Sequence, residues 1–481
     1  MHPVDLGIFI GYMLVLIGVG FYFLGKNKST EDYFVSNRNM KSWHIGLSVV
    51  ATDVGGGFSI GLGGLGFVMG LSGSWMLFTG LIGAWLSAVL LIPKIYTLGA
   101  VKKLTTFPQL FSHFYSSKAA LVAGIISAIG YLGFTSSQVL AGAKLAAASF
   151  VGLDIQTALI IMGVVTIAYT VLGGMSAVIY TDTIQWIVLM AGLIFVGIPV
   201  SYFAIGGWEE ISKTIHPEFL SLNNVSWQTL VNWAVTIIPI WFVGMTLYQR
   251  IYASRSEKEA KKAWFIAGLF EWPIMAFMGV VLGLFGRVAA DQGMFADLGY
   301  ASISAMDPEL GLPLLLRQVL PVGLMGVMMA AYFSAILSTA DSCLMAASGN
   351  VLTDILQKFF PRLNGHSKEL RITQWLTLLL GIIALVIASR MENVLELMLY
   401  SYAFMVSGLF VPLIAAVFFN QKNPVAAIAA MLGGGFTTVF LTSMKINLPF
   451  GLDANIFGIT CSFILFVLVT SLSKKIKINT Q

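Results

Sequence analysis

A carboxylate and three hydroxyls crowd into Ser338-Thr339-Ala340-Asp341-Ser342, inside a stretch otherwise apolar enough to cross a bilayer. A charge near the bilayer centre costs about 2.5–3.5 kcal/mol on insertion scales, so such residues are functional by default. On a helix, Ser338, Asp341 and Ser342 share one face at spacings of three and four, and Thr339 lines its edge. Clustered oxygens of this kind suit a hard cation such as sodium. The plainer reading is a polar face that hydrogen-bonds neighbouring helices.

A second acid stands beside glycines, in Thr52-Asp53-Val54-Gly55-Gly56-Gly57-Phe58-Ser59. Three successive glycines favour unwinding, at about 1 kcal/mol each relative to alanine in a helix. Unwound backbone at membrane depth is tolerated where it lines a cavity or is buried in protein, and its freed carbonyls can hold a cation. The alternative is a close-packing glycine face. A third acid, Asp182, follows Gly173-Gly174; that pair predicts a tight cytoplasmic turn, with Asp182 at the start of the next helix. Glu271 and Glu396 read as buried, hydrogen-bonded groups, and Lys144 as a side chain snorkelling to the outer surface.

The elements that must position these residues are membrane helices. The chain has 481 residues, 57% hydrophobic and 10% charged, where a soluble domain carries roughly 25% charged residues. The fold class is therefore all-α integral membrane, one domain over 1–481. About 13 candidate spans can be drawn, near 4–24, 43–70, 74–99, 119–150, 156–173, 179–206, 227–250, 262–290, 313–356, 370–390, 394–419, 424–444 and 452–473. The ninth exceeds one crossing and should hold a surface helix near 313–319 and an extension toward Gln357. Cys343 and Cys461 both lie in apolar segments, so no disulfide framework is implied. Lys26-Asn27-Lys28 after the first span is not a cleavage site, so no removable signal is expected.

The net charge of +5 could suggest nucleic acid, but the basic residues follow the membrane. Lys102, Lys103, Arg250, Arg255, Lys258, Lys261, Lys262, Lys368, Lys474, Lys475 and others fall in loops of one side. Lys144, Lys213, Arg287, Arg317, Arg390 and Lys445 lie on the other side or within spans. The positive-inside rule then puts the N-terminus outside and the C-terminus in the cytoplasm of a multi-pass cell-membrane protein. Span 7 carries its own interruption, Pro239-Ile240-Trp241-Phe242-Val243-Gly244. Broken spans 2 and 7, five apart, predict an inverted repeat of spans 2–6 (43–206) and 7–11 (227–419).

Three motifs resemble the sodium/solute symporter family, which includes sodium-coupled sugar, proline, pantothenate, sialate and choline transporters. They are Ala51-Thr52-Asp53-Val54-Gly55-Gly56-Gly57, Gly173-Gly174 through Tyr180-Thr181-Asp182-Thr183-Ile184-Gln185, and Ser338-Thr339-Ala340-Asp341-Ser342. The likeness spans roughly residues 5–420. It implies the inverted five-helix repeat shared with amino-acid/sodium symporters. It also implies a main sodium site made by Ala51, Val54, Ala335, Ser338 and Thr339. A second sodium, held in some members, maps to Asp182, Asp341 and Ser342. Several members have a hydroxyl residue where Asp341 stands, and proline-branch relatives carry a hydroxyl where Gly55 stands.

The reading that follows is a secondary transporter, not an enzyme. It couples inward sodium flow to uptake of a sugar, amino acid, organic acid or quaternary ammonium, and works as a monomer in the bilayer. The solute is expected between spans 2, 3, 4, 7 and 11, where Asp53, Phe58, Thr79, Gln138, Trp241 and Tyr402 are candidate contacts. A channel or sensor without coupled transport is the rival. Gly20–Asn27 misses the phosphate-loop pattern at Asn27 and lacks a preceding strand. Gly57-Phe58-Ser59-Ile60-Gly61 spells a nucleophile elbow without its strand–turn–helix setting. An aspartyl dyad of Asp182 and Asp341 would be the hydrolase alternative.

Overall fold

The computed structural model describes residues 2–24, 35, 38–150, 152–300, 303–363 and 369–479. The side chains of Val54 and Phe58, both expected at the site, lie outside the described set, as do Lys26, Lys28 and Lys368. Among the described residues the chain is helical, with one isolated backbone bridge between Met40 and Ser254. We number the main helices α1 (Pro3–Leu24), α2 (Ser42–Met69), α3 (Trp75–Leu86), α4 (Ser117–Ser149) and α5 (Ile155–Gly192). Then come α6 (Trp227–Val243), α7 (Met245–Ala253), α8 (Glu257–Leu269), α9 (Ala276–Asp291) and α10 (Leu324–Gly349). The last four are α11 (Glu369–Ala388), α12 (Val394–Phe419), α13 (Pro424–Ser443) and α14 (Ala454–Asn479). Ser116, Asp154, Ser226 and Asn423 start α4, α5, α6 and α13 by accepting first-turn N–H groups that have no partner within the helix.

Nine stretches among the described residues are long and apolar enough to cross a membrane, or ten if α6 and α7 count as one bent span. The expected 13 is therefore not reached on length and hydropathy alone. Pro3–Val15 and Ile155–Ala168 are apolar helices too short for that test. The turn expected at Gly173-Gly174 is not a break: backbone is helical from Ile155 through Gly192, so Asp182 sits inside a helix rather than at its start. Two glycines do not stop a helix that is packed on several sides, and α5 lies against α1, α2, α4, α10 and α11. The ninth span divides as its length requires, with a separate helix over Gly311–Val319 and wider helical turns from Asn350 to Leu356.

Both expected interruptions exist. Gly55 leaves the helical region inside α2, with φ 19° and ψ −157°. Gly244 is extended (φ −68°, ψ 115°) between α6 and α7, which meet at 42°. Pro239 is carried inside α6, and the break comes after Val243.

The centre of the bundle is α10, which packs on α1, α2, α4, α5 and α11. Its spanning window is 94% buried in protein, against 17% for α14 at the edge. A helix surrounded by protein can carry polar residues that lipid would not tolerate, which is why the serines, threonine and aspartate of the sequence motif sit there.

Lys144 does not snorkel. It is buried near the end of α4 and bonds Asp307 at 2.5 Å and Glu309 at 2.6 Å. Glu309 also accepts the Val394 N–H at 3.1 Å and the Leu395 N–H at 3.0 Å, capping α12. The ammonium stays inside because two carboxylates reach it there. Removing one member of a buried ion pair costs about 3–5 kcal/mol, since the partner charge is stranded. Lys144→Met should therefore lower the thermal unfolding midpoint of the detergent-solubilised protein, and Glu309→Gln should add little further loss in the double variant. Additive losses would show that the two side chains act separately.

Candidate ion and solute site

The break at Gly55 changes what the α2 backbone offers. In an unbroken helix the Ala51 carbonyl would accept from residue 55 and the Gly56 N–H would donate to residue 52. Here the Ala51 carbonyl accepts the Thr339 hydroxyl of α10 at 2.8 Å, and the Gly56 N–H donates to Gln138 Oε1 of α4 at 2.7 Å. Thr339 also reaches the Ala335 carbonyl at 3.3 Å. The glycines let three helices close on this point. A methyl on Gly55 would lie 2.3 Å from Thr339 Oγ1, and one on Gly56 would lie 2.4 Å from the Ala141 methyl. The unwinding and close-packing readings of the glycine run are thus both satisfied.

Of the five residues expected to make the main sodium site, the structure brings Ala51, Ala335 and Thr339 together through these bonds. Ser338, adjacent on α10, turns its hydroxyl to Asp182 of α5 in a short hydrogen bond. Ser48 of α2 donates to the other oxygen of the same carboxylate. Val54 precedes Gly55, so its carbonyl belongs to the segment that the break releases.

The centre of the polar network is Arg250 of α7, with no exposed surface. It is not the cytoplasmic loop residue that the charge pattern suggested. Its Nε donates to Ser48 at 3.0 Å and one terminal nitrogen to the Thr246 carbonyl at 3.3 Å. The other terminal nitrogen reaches Thr52, Ser342 at 3.0 Å and Asp182 at 3.5 Å. One guanidinium therefore ties both broken spans to α5 and α10. Asp341, one residue from Ser342, is fully buried, and neither of its oxygens has a donor. One buried cation thus faces two buried carboxyls, Asp182 and Asp341.

The expected solute contacts divide. Gln138 is committed to Gly56 and to the Ser137 hydroxyl, holding the break open. Thr79 donates to the Met76 carbonyl within its own helix at 2.6 Å. Tyr402 of α12 donates to Asp53 at 3.2 Å. Trp241 of α6 is buried against Gly80 and Gly83 of α3, its indole N–H without a partner. Glu271 joins this group from beyond the end of α8, its carboxyl oxygen against Gly80. Glu396 instead lines a cleft of about 850 Å³ with Glu309, Asn455, Gly61 and Ala403.

Sequence reasoning missed Arg250 and the pairing of Glu271. Arg250 follows a glycine break by six residues and precedes a run of loop charges, so position alone grouped it with the loop. The hint was Gln249-Arg250 on a segment that otherwise buries every side chain from Met245 to Ala253.

The family model for the sodium:solute symporter family matches residues 33–434. The sodium/glucose cotransporter of Vibrio parahaemolyticus is 27% identical, over 98% of this chain and 91% of its own. The osmoregulated proline transporter OpuE of Bacillus subtilis is 26% identical, over 98% and 95%. The human sodium/myo-inositol cotransporter 2 is 27% identical, over 87% and 66%. In structure, a sodium-coupled sialic acid symporter in a substrate-bound outward-open state superimposes with a TM-score of 0.76 at 21% identity, covering 98% of each chain. Mhp1, a nucleobase-cation-symport-1 family transporter in a closed conformation, gives 0.58 at 12% identity, over 93% and 95%. These likenesses give the fold, and the family match gives the class: a multi-pass membrane protein for sodium-coupled solute uptake, and not an enzyme. The chain belongs to the sodium:solute symporter family.

Proposed function

We propose that sodium binds where the α2 break faces α10, held by the Ala51, Val54 and Ala335 carbonyls and the Ser338 and Thr339 hydroxyls. The observation that supports this is the Ala51 carbonyl, four residues before the break at Gly55, accepting the Thr339 hydroxyl of α10 at 2.8 Å. Oxygens brought this close, from two helices and without a charged partner at the carbonyls, are what a small hard cation requires. The coupled solute is a small organic molecule bound among Asp53, Tyr402, Trp241 and their neighbours, with Phe58, Thr79 and Gln138 shaping the surroundings.

The buried charges support a second cation near Asp341. Arg250 supplies the positive charge for Asp182, which leaves Asp341 with unpaired oxygens beside Ser342. An uncompensated carboxylate in low dielectric is costly, so either a sodium ion or a proton resides there. A second sodium held by Asp182, Asp341 and Ser342 is the reading we favour, because Ser342 follows Asp341 in the chain and its hydroxyl can complete an oxygen shell. The inward direction, the outside N-terminus and action as a monomer complete the proposal, and the asymmetry of loop lysines and arginines supports the orientation. With sodium tenfold higher outside and 100 mV negative inside, each ion supplies about 3.7 kcal/mol, enough for roughly 500-fold accumulation of a neutral solute.

Two measurements test the ion sites. Ser338→Ala with Thr339→Ala should abolish sodium-driven uptake into proteoliposomes while the protein still elutes as a folded species; ordinary sodium dependence in that variant would refute the main site. Asp341→Asn should turn a sigmoidal dependence of initial rate on sodium into a hyperbolic one at fixed membrane potential. Asp182→Asn is the less selective probe, because Asp182 also holds Ser338 and Arg250. A hyperbolic wild-type curve, with a reversal potential set by one ion, would rule the second sodium out.

A further inference from the structure

Helix α1 lies ahead of residues 33–434, which match the family model, yet it is bonded directly to the helix that carries the ion ligands. α10 starts after Gly323, which has positive φ (91°) and no side chain to cap the first turn. The first N–H groups of a helix find no acceptor within it. Here the acceptor comes from α1. Asp5, 2% exposed, takes the Gly323 N–H at 2.7 Å and the Gly326 N–H at 2.8 Å on one carboxyl oxygen. Glycine at 326 permits the approach, since a methyl there would lie 2.7 Å from the Asp5 Cα. Phe9 and Tyr12 follow Asp5 on the same face of α1, at spacings of four and three. The Phe9 ring meets Phe333 edge-on, centroids 4.9 Å apart, and the Tyr12 hydroxyl donates to Ser334 at 2.6 Å.

Ser334 is the first of three buried serines, Ser334, Ser338 and Ser342, placed four residues apart on α10. That spacing puts them on one face of the helix. Each is bonded to a different neighbour: Ser334 to Tyr12 of α1, Ser338 to Asp182 of α5, and Ser342 to Arg250 of α7. Ala335 and Thr339 directly follow the first two of these serines. The oxygens that face the break in α2 therefore belong to a helix whose depth and rotation are set by three side-chain anchors and one borrowed cap. Two of those four attachments, the cap and the first anchor, come from α1. A slide or turn of α10 would open the 2.8 Å bond between the Thr339 hydroxyl and the Ala51 carbonyl.

Resting on the main sodium site proposed above, we infer that Asp5 and Tyr12 are positioning residues for sodium: they hold α10 where Ala335, Ser338 and Thr339 face the break in α2. Neither touches the ion. Loosening them lowers the share of molecules whose ligands are assembled, and apparent affinity falls in proportion to that share. The ligands themselves stay intact, so enough sodium still fills the site.

The test is equilibrium binding of radioactive sodium to the purified full-length protein, with thermal unfolding in sodium-free buffer as the measure of fold. Tyr12→Phe keeps the ring and loses only the hydroxyl. It should raise the half-saturating sodium concentration about fivefold, the effect of one lost hydrogen bond, with the same number of ions bound at saturation. Ser334→Ala should give the same shift, and the double variant no more. Asp5→Ala should also weaken binding, whereas Asp5→Asn keeps an acceptor oxygen and should recover most of the affinity. A merely structural role would lower the sodium-free unfolding midpoint and leave half-saturation where it was. Wild-type sodium affinity in folded Tyr12→Phe overturns the inference, as do additive shifts in the double variant, and both leave the main site standing. If Asp5→Ala does not fold, Tyr12→Phe decides alone. Undiminished sodium binding after Ser338→Ala with Thr339→Ala would overturn the proposed main site itself.

Discussion

A guanidinium with no exposed surface must be satisfied wholly by the protein around it. Arg250 meets that condition with oxygens from α2, α5, α7 and α10. Stranding a buried charge costs several kcal/mol, so these helices cannot move apart there independently. The same constraint explains why α7 must begin at a break: only a chain that turns at Gly244 can bring residue 250 back among the acids of the bundle. It also explains why the serines and threonines of α2 and α10 face one another. They are the acceptors that let a fixed positive charge sit in an apolar layer.

Much of this was legible in the sequence. The oxygen-rich face of 338–342, the glycine run after Asp53 and the interruption ending at Gly244 all violate what lipid-facing helices allow, and each violation marked a feature that the structure contains. The separate helix ahead of the ninth span followed from length alone, but it is not a surface helix: Gly311 to Leu316 are buried. What failed depended on partners distant in sequence. Lys144 and Arg250 were read by their neighbours in the chain, which suggested snorkelling and a loop. Their true partners, Asp307 and Glu309 for one and Asp182 for the other, are remote. A charge in a membrane is placed by its counter-charge, and no local pattern encodes that. Gly173-Gly174 failed for the converse reason: a local turn signal was overridden by packing on several neighbours.

The candidate solute contacts show the same division. Types were readable, since acids and amides in spans are few. Roles were not. Gln138 has the donors and acceptors of a ligand residue, but its carbonyl oxygen is spent on the Gly56 N–H, so it supports the backbone that the ion needs. Tyr402 and Trp241 resemble core aromatics by position, yet one bonds a carboxylate and the other keeps an unanswered donor.

On the proposed function, ion and solute meet on a single turn of α2. Ala51 offers its carbonyl toward α10, Asp53 its carboxyl toward α12 and the Glu271 segment, and Gly56 its N–H toward α4. These groups are joined by a few residues of backbone around Gly55, so fixing one restricts the others. A sodium ion that gathers the Ala51 and Val54 carbonyls also fixes the direction in which Asp53 points. A solute that bonds Asp53 would likewise fix where the carbonyls lie. Coupling free energy is reciprocal between two sites, and a shared, unwound segment is the shortest physical link that can carry it. The cleft of about 850 Å³ is lined by Gly61 of α2 and Leu395 of α12, which lie against each other. At the start of α12 Lys144 bonds Glu309, and Glu309 caps the helix.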